Sequence, residues 1–192
     1  MSTSLQLDNL NVTFEQADED TVEKGYDWYL EAHRELFEIS IEYDKPITQV
    51  AAICSKISPG IKWTNNLRGV RELYSTGITR QGYSQNIIVA LQIKNGEYGD
   101  TFTSISECFS TRAKKTMNFY GNLCYPLSNE YVTVDRWIYR VVTSSDVELT
   151  YIKSHQNQAI SNRIKEIAKE KKIIPNMVQA VIWEQIRKKQ TV

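Results

Sequence analysis

Val132-Thr133-Val134-Asp135-Arg136-Trp137-Ile138-Tyr139-Arg140-Val141-Val142 is the stretch around which the chain is organised. A short β-branched run ends on one acid, and an amphipathic segment with two arginines and two aromatics follows at once. Val132 and Val134 before Asp135, and Ile138, Val141 and Val142 after it, shield the acid partly from water. Desolvation raises a carboxylate pKa, while cations and helix N-terminal amides lower it. An acid so placed can act as a base or as an electrostatic stabiliser. The plain alternative is an N-cap, for which Asp is among the best residues.

Working outward, the helical pattern dominates. Asp18-Glu19-Asp20-Thr21 crowds acids at a helix start, as the helix dipole favours. Tyr26, Tyr29, Leu30, His33, Leu36, Phe37 and Ile41 then recur at three- and four-residue spacing to about Tyr43. Pro46 breaks that helix. Further helices are expected over 47–56, from Lys62 to Tyr74, and over 84–93, where Ile87-Ile88-Val89 also reads as a strand. A weak short helix follows over 101–109, then a stronger one from Arg112 to Tyr125. A long polar helix is expected from Leu149 to Lys172, and a last one opens at Pro175. Residues 1–16 read as an irregular or extended arm. The expectation is all-α, one domain of two helical lobes, about 1–45 plus 145–192 and 46–144.

Composition narrows the function classes. The 192 residues, 41% hydrophobic and 24% charged, suit a globular protein. No apolar run approaches the ~20 residues that span a bilayer, so no membrane partner is expected. The start lacks a secretory pattern. Cys54, Cys108 and Cys124 are far apart, and with only two histidines neither a disulfide framework, a metal site nor a bound cofactor is expected. A reducing cytoplasm is the expected location. Net charge is zero, but residues 1–50 hold twelve acids against Lys24, Arg34 and Lys45, and residues 153–192 hold nine bases against Glu166, Glu170 and Glu184. That asymmetry reads as an acidic side and a basic side, the latter suited to phosphates or simply solvated.

About twenty residues before Asp135 lies Arg112-Ala113-Lys114-Lys115-Thr116-Met117-Asn118-Phe119-Tyr120-Gly121-Asn122. Its three cations stand at a predicted helix N-terminus, where they oppose the dipole unless an anion completes the arrangement. A solvated turn is the plain alternative. A partly desolvated lysine there can also serve as an amine nucleophile.

The two segments together resemble the helix-hairpin-helix DNA glycosylase superfamily, which includes endonuclease III. Lys115-Thr116 is similar to the Lys-Thr end of that family's hairpin motif. Val132-Thr133-Val134-Asp135 with Arg140-Val141 is similar to its aspartate motif. Ala51-Ala52-Ile53-Cys54-Ser55 with a downstream Asn65 or Asn66 resembles its early helix. The resemblance implies a catalytic Asp135 that stabilises an oxocarbenium-like sugar or positions a nucleophile, and a Lys115 that supplies the cation or attacks C1′. It implies DNA contacts from Arg112, Lys114, Thr116 and Arg136. It implies a pocket for a flipped base, in duplex or single-stranded DNA, with Trp63, Tyr120 and Trp137 to stack and Asn66, Asn118 and Asn122 to read the edge. Ser110, Thr111 and Ala113 replace the hairpin's proline and glycines, and its iron–sulfur cysteines are absent. The set Ser58-Pro59, Trp63 and Asn66, Lys115, Phe119-Tyr120 and Asn122, and Val132-Thr133-Val134-Asp135, ending in Pro175, Gln179-Ala180 and Trp183, more loosely resembles divergent phage-encoded relatives, including the alpha-glutamyl/putrescinyl thymine pyrophosphorylases. A phage origin would place the protein in the host cytoplasm. The functions implied are glycosidic cleavage or base modification, against a non-catalytic nucleotide- or protein-binding accessory or anti-defence protein on the same fold.

Overall fold

The computed structural model describes residues 5–110, 113–143 and 152–190, with the side chains of 189 and 190 excepted. Among the described residues the chain is all-α, with no strand. The helices are α1 (Asp8–Glu15), α2 (Glu19–Tyr43), α3 (Ile47–Ile57), α4 (Trp63–Thr76), α5 (Ser84–Lys94), α6 (Phe102–Ser106), α7 (Lys114–Cys124), α8 (Arg136–Thr143), α9 (Ser154–Lys171) and α10 (Pro175–Gln190). Residues 1–30 with 125–192 form one compact unit, and residues 31–124 form the other. α2 runs unbroken through the first division, giving its early turns to one unit and its later turns to the other.

The chain-end unit is built on the opening stretch. Val132, Val134, Ile138, Tyr139 and Val142 pack with Leu10 and Phe14 of α1, Ile160, Ile164 and Ile167 of α9, and Val178, Val181 and Ile182 of α10. Full burial of each such aliphatic side chain contributes about 1.5–3 kcal/mol. The region read as an arm is instead α1. Leu7, Leu10 and Phe14 form one apolar stripe, and the Gln6 amide and the Asn9 side chain donate to the carbonyls of Val142 (2.7 Å) and Val141 (3.0 Å). These bonds tie α1 to the last described turn of α8. α2 begins with Asp18, whose Oδ1 accepts from the Thr21 amide (3.0 Å) and hydroxyl (2.6 Å). The predicted helix from Leu149 is seen as α9 from Ser154; residues 144–151 lie outside the described residues.

The middle unit surrounds α3, on which α4, α5, α6 and α7 pack. Every residue from Gln49 to Ile57 is buried, so this helix presents no solvated face. Its polar side chains are bonded inward. The Gln49 amide donates to the Ile93 carbonyl and accepts from the Tyr74 hydroxyl, and the Ser55 hydroxyl donates to the Thr116 carbonyl. Ile87-Ile88-Val89 lies in α5, so the strand alternative does not hold. α4 closes on Gly77 at φ +74°, a left-handed position that glycine adopts without a Cβ clash.

The charge asymmetry folds onto itself in the chain-end unit. Lys171 pairs with Glu15, Lys188 with Asp18, and Arg163 with Asp8 at 3.5 Å. Three of the nine bases of residues 153–192 therefore neutralise acids of the first fifty residues. Such exposed pairs are worth about 0–1 kcal/mol each.

Candidate functional site

Asp135 stands at the N-cap of α8. Its Oδ1 accepts from the backbone amides of Trp137 (2.9 Å) and Ile138 (3.0 Å), two of the amides a helix start leaves open. Its carbonyl accepts the first helical bond, from Tyr139 (3.0 Å). The three residues before it are buried. The backbone therefore enters from the core, and the carboxylate is half-buried at the surface of the chain-end unit.

The same turn carries a cationic aromatic group. Arg136 and Arg140 are one helical turn apart, on the side opposite the buried Ile138 and Val142. Their guanidinium carbons lie 5.0 and 4.8 Å from the Trp137 ring centroid, within cation–π range. Among the described residues neither guanidinium has a carboxylate partner. The Arg140 Nε is buried with no hydrogen-bond partner. Arg140 is the member of this group that sequence reasoning left in a motif without a role. Its i, i+4 relation to Arg136 was the signal.

The lysine turn belongs to the middle unit. α7 starts at Lys114 behind Ala113, which has no side-chain acceptor, and the Thr116 hydroxyl turns back to the Ala113 carbonyl (3.0 Å). Lys114, Lys115, Thr116 and Asn118 are all half-buried on this helix. Arg112, expected beside them, lies outside the described residues, as does Thr111. Asp135 and Lys115 thus belong to different units.

The expected pocket residues divide. Trp137 is half-buried in the arginine group. Trp63 is half-buried on α4, and its indole N–H donates to the Glu35 carboxylate (2.6 Å). Asn66, one turn on, is 2% exposed, and its Oδ1 has no hydrogen-bond partner among the described residues. Tyr120 is 0% exposed and stacks in parallel with Phe102 (4.6 Å) and Phe109 (5.2 Å), so in this packing it offers no face to a base. Asn122 is equally buried. Both sit in the core of the middle unit.

One buried titratable group escaped the sequence reading. Lys56 is 9% exposed, donates to the Cys108 carbonyl (2.8 Å) and lies 4.1 Å from the Phe109 ring centroid. Burial lowers its pKa. A lysine within a helix apolar on every side was the available signal. The thiols are quiet: burial raises Cys108 to about 11 and Cys124 to about 12, and Cys54 well above its usual value. Among the described residues no group of three His, Cys, Asp or Glu side chains converges, and no helix is long and apolar enough to cross a membrane.

Comparison with known proteins gives a family. Residues 1–190 match the family of unknown function DUF7178, and the chain belongs to it. No curated protein and no solved structure matches the chain.

Proposed function

We propose that this DUF7178 member acts on a base in DNA, as a helix-hairpin-helix glycosylase-like protein whose working turn is Asp135–Arg140. The observation that carries the reading is the composition of that turn. A carboxylate at a helix start stands beside an indole with two guanidiniums, neither paired with an acid among the described residues. Guanidiniums recognise phosphate oxygens, an indole stacks on a base, and a carboxylate stabilises positive charge developing on a sugar.

In the middle unit, taken by itself, this reading gives Lys114 and Lys115 phosphate contacts at the α7 start and Trp63 contact with a base. Asn66 is 2% exposed, so its carbonyl oxygen, with no hydrogen-bond partner among the described residues, stays enclosed in the core of that unit. Tyr120 and Asn122 take a supporting role, because their side chains are spent in packing.

A second reading, binding without chemistry, is favoured by one specific feature. The Asp135 carboxylate is used as a cap, with one oxygen taking two amides. The deciding experiment incubates the protein with unmodified and 5-hydroxymethyluracil-containing DNA, then counts abasic sites and analyses nucleosides by mass spectrometry. Abasic sites or an altered base establish the enzyme. Saturable DNA binding with unchanged DNA establishes the binder. Neither binding nor change refutes both.

A further inference from the structure

A groove of about 480 Å³ runs along the first turns of α2, remote in sequence from the Asp135 turn. Its floor is Ala17, Val22 and Tyr26, partly buried side chains at the edge of the chain-end core. Its rim is Glu19, Glu23 and Asp27. These acids recur every fourth residue, so they form one row on the helix beside the apolar pair Val22 and Tyr26. All three are exposed.

The row is conspicuous for its lack of internal neutralisation. Nearby acids are paired: Glu15 with Lys171, Asp18 with Lys188, and Asp20 with Lys24. Glu19, Glu23 and Asp27 have no cationic partner among the described residues. Glu19 gains from the helix N-terminus, but like charges one turn apart, as in Glu23 and Asp27, destabilise a helix. Cations from outside would relieve that repulsion, and the apolar floor would bury against whatever carries them.

We propose that this groove docks a basic amphipathic helix of a partner protein. The rim spans eight residue steps, about 12 Å of helix. That matches two turns of a partner with lysines or arginines at four-residue spacing and an apolar row beside them. Nucleic acid is not the occupant, because the carboxylate row repels phosphates. In a second copy of this chain Lys171, Lys188, Arg163 and Arg187 already pair with their own chain's acids, which leaves Lys165 and Lys169 of α9 as its four-spaced cations, and self-association is therefore the competing outcome of the test. The inference stands apart from the DNA reading, since it uses different residues and a different chemistry.

The test uses the full chain and a fluorescein-labelled helical peptide with lysine at every fourth position and a parallel leucine row, followed by fluorescence anisotropy. Saturable binding is expected to weaken tenfold or more in the combined Glu19→Gln, Glu23→Gln, Asp27→Gln variant, and to weaken with rising salt. A control that neutralises Glu97, Asp100 and Glu130 leaves binding intact. Circular dichroism verifies that each variant keeps its helix content, which removal of like-charge repulsion should not reduce. No saturable binding to the wild type, or equal affinity in the rim variant and the control, overturns the proposal. Sedimentation that shows a dimer dissociating only in the rim variant overturns it in favour of self-association.

Discussion

The paired substitutions Asp135→Asn and Asp135→Ala separate the two uses of this carboxylate. The cap is made through one oxygen, Oδ1, which accepts at 2.9 and 3.0 Å from two amides. Asparagine carries the same oxygen in the same place and ranks with aspartate as a cap. The Asn variant therefore keeps the cap and loses the charge, whose favourable placement at the helix N-terminus is worth about 0.3–1 kcal/mol. Alanine removes the acceptor and costs about 1 kcal/mol, rising to about 2. For a chain of this size each kcal/mol lowers Tm by about 2–4 °C. The Ala variant should melt about 2–8 °C below the wild type, and the Asn variant about 1–4 °C below, by circular dichroism. If the carboxylate does chemistry, Asn should cut turnover on DNA by about a hundredfold or more while the protein stays folded. Wild-type turnover in the Asn variant would reduce Asp135 to a cap. An Asn variant as unstable as the Ala variant would refute the shared-oxygen account of the cap itself.

Three further outcomes follow from the structure. Gly25→Ala should lower stability by about 1–3 kcal/mol despite the better helix propensity of alanine, because a Cβ there would lie 2.6 Å from the backbone N and Cα of Val181; a urea midpoint at or above that of the wild type would show that the helices can separate. Lys172→Gly should raise stability by about 0.5–1 kcal/mol, since Lys172 ends α9 in the left-handed region at φ +58°; an unchanged Tm would count against strain at that residue. Bonding to Lys188, and to the side chain and backbone of Thr21, holds Asp18 well below the usual carboxylate range. A depressed folded pKa gives stability that is full above the unfolded value of about 3.9 and falls away as pH drops below it. Unfolding midpoints between pH 2 and 6 should therefore rise more steeply for the wild type than for Asp18→Asn, and parallel profiles would remove Asp18 as a source.

How much was legible depended on whether local pattern and tertiary environment agreed. The α2 stripe, the stop at Pro46 and the start at Pro175 all act locally, so sequence suffices to place them. α1 was missed because it is short and polar at both ends. Its helix is fixed by what it packs on, through Leu10, Phe14 and the bonds from Gln6 and Asn9 to the end of α8. The Tyr120 ring posed a different problem. A tyrosine suits a stacking site and an aromatic core equally, and only the flanking Phe102 and Phe109 decide. Charge gave the reverse case. The acidic and basic ends were plain in the sequence, but their mutual pairing requires the two ends to meet in one unit, which no local pattern encodes.

The opening stretch serves the core and the surface through one helical periodicity. Ile138 and Val142 turn inward, and Arg136 and Arg140 turn outward around Trp137. The outward side is not energetically settled. A buried charged donor without a partner, such as the Arg140 Nε, costs about 1–3 kcal/mol or more. A bound phosphate oxygen would offset that cost, so an oligonucleotide should stabilise the fold through this turn. At a hundredfold excess over Kd, linkage gives about 2.7 kcal/mol, or a Tm rise of about 5–11 °C for a chain of this length. Arg140→Lys keeps the charge but loses the planar fork that stacks on the indole and grips two oxygens. Its oligonucleotide-induced Tm rise should shrink well below that of the wild type at equal ligand concentration. An equal rise would mean that net charge alone draws the nucleic acid, and the stacked guanidiniums would lose their place in the mechanism.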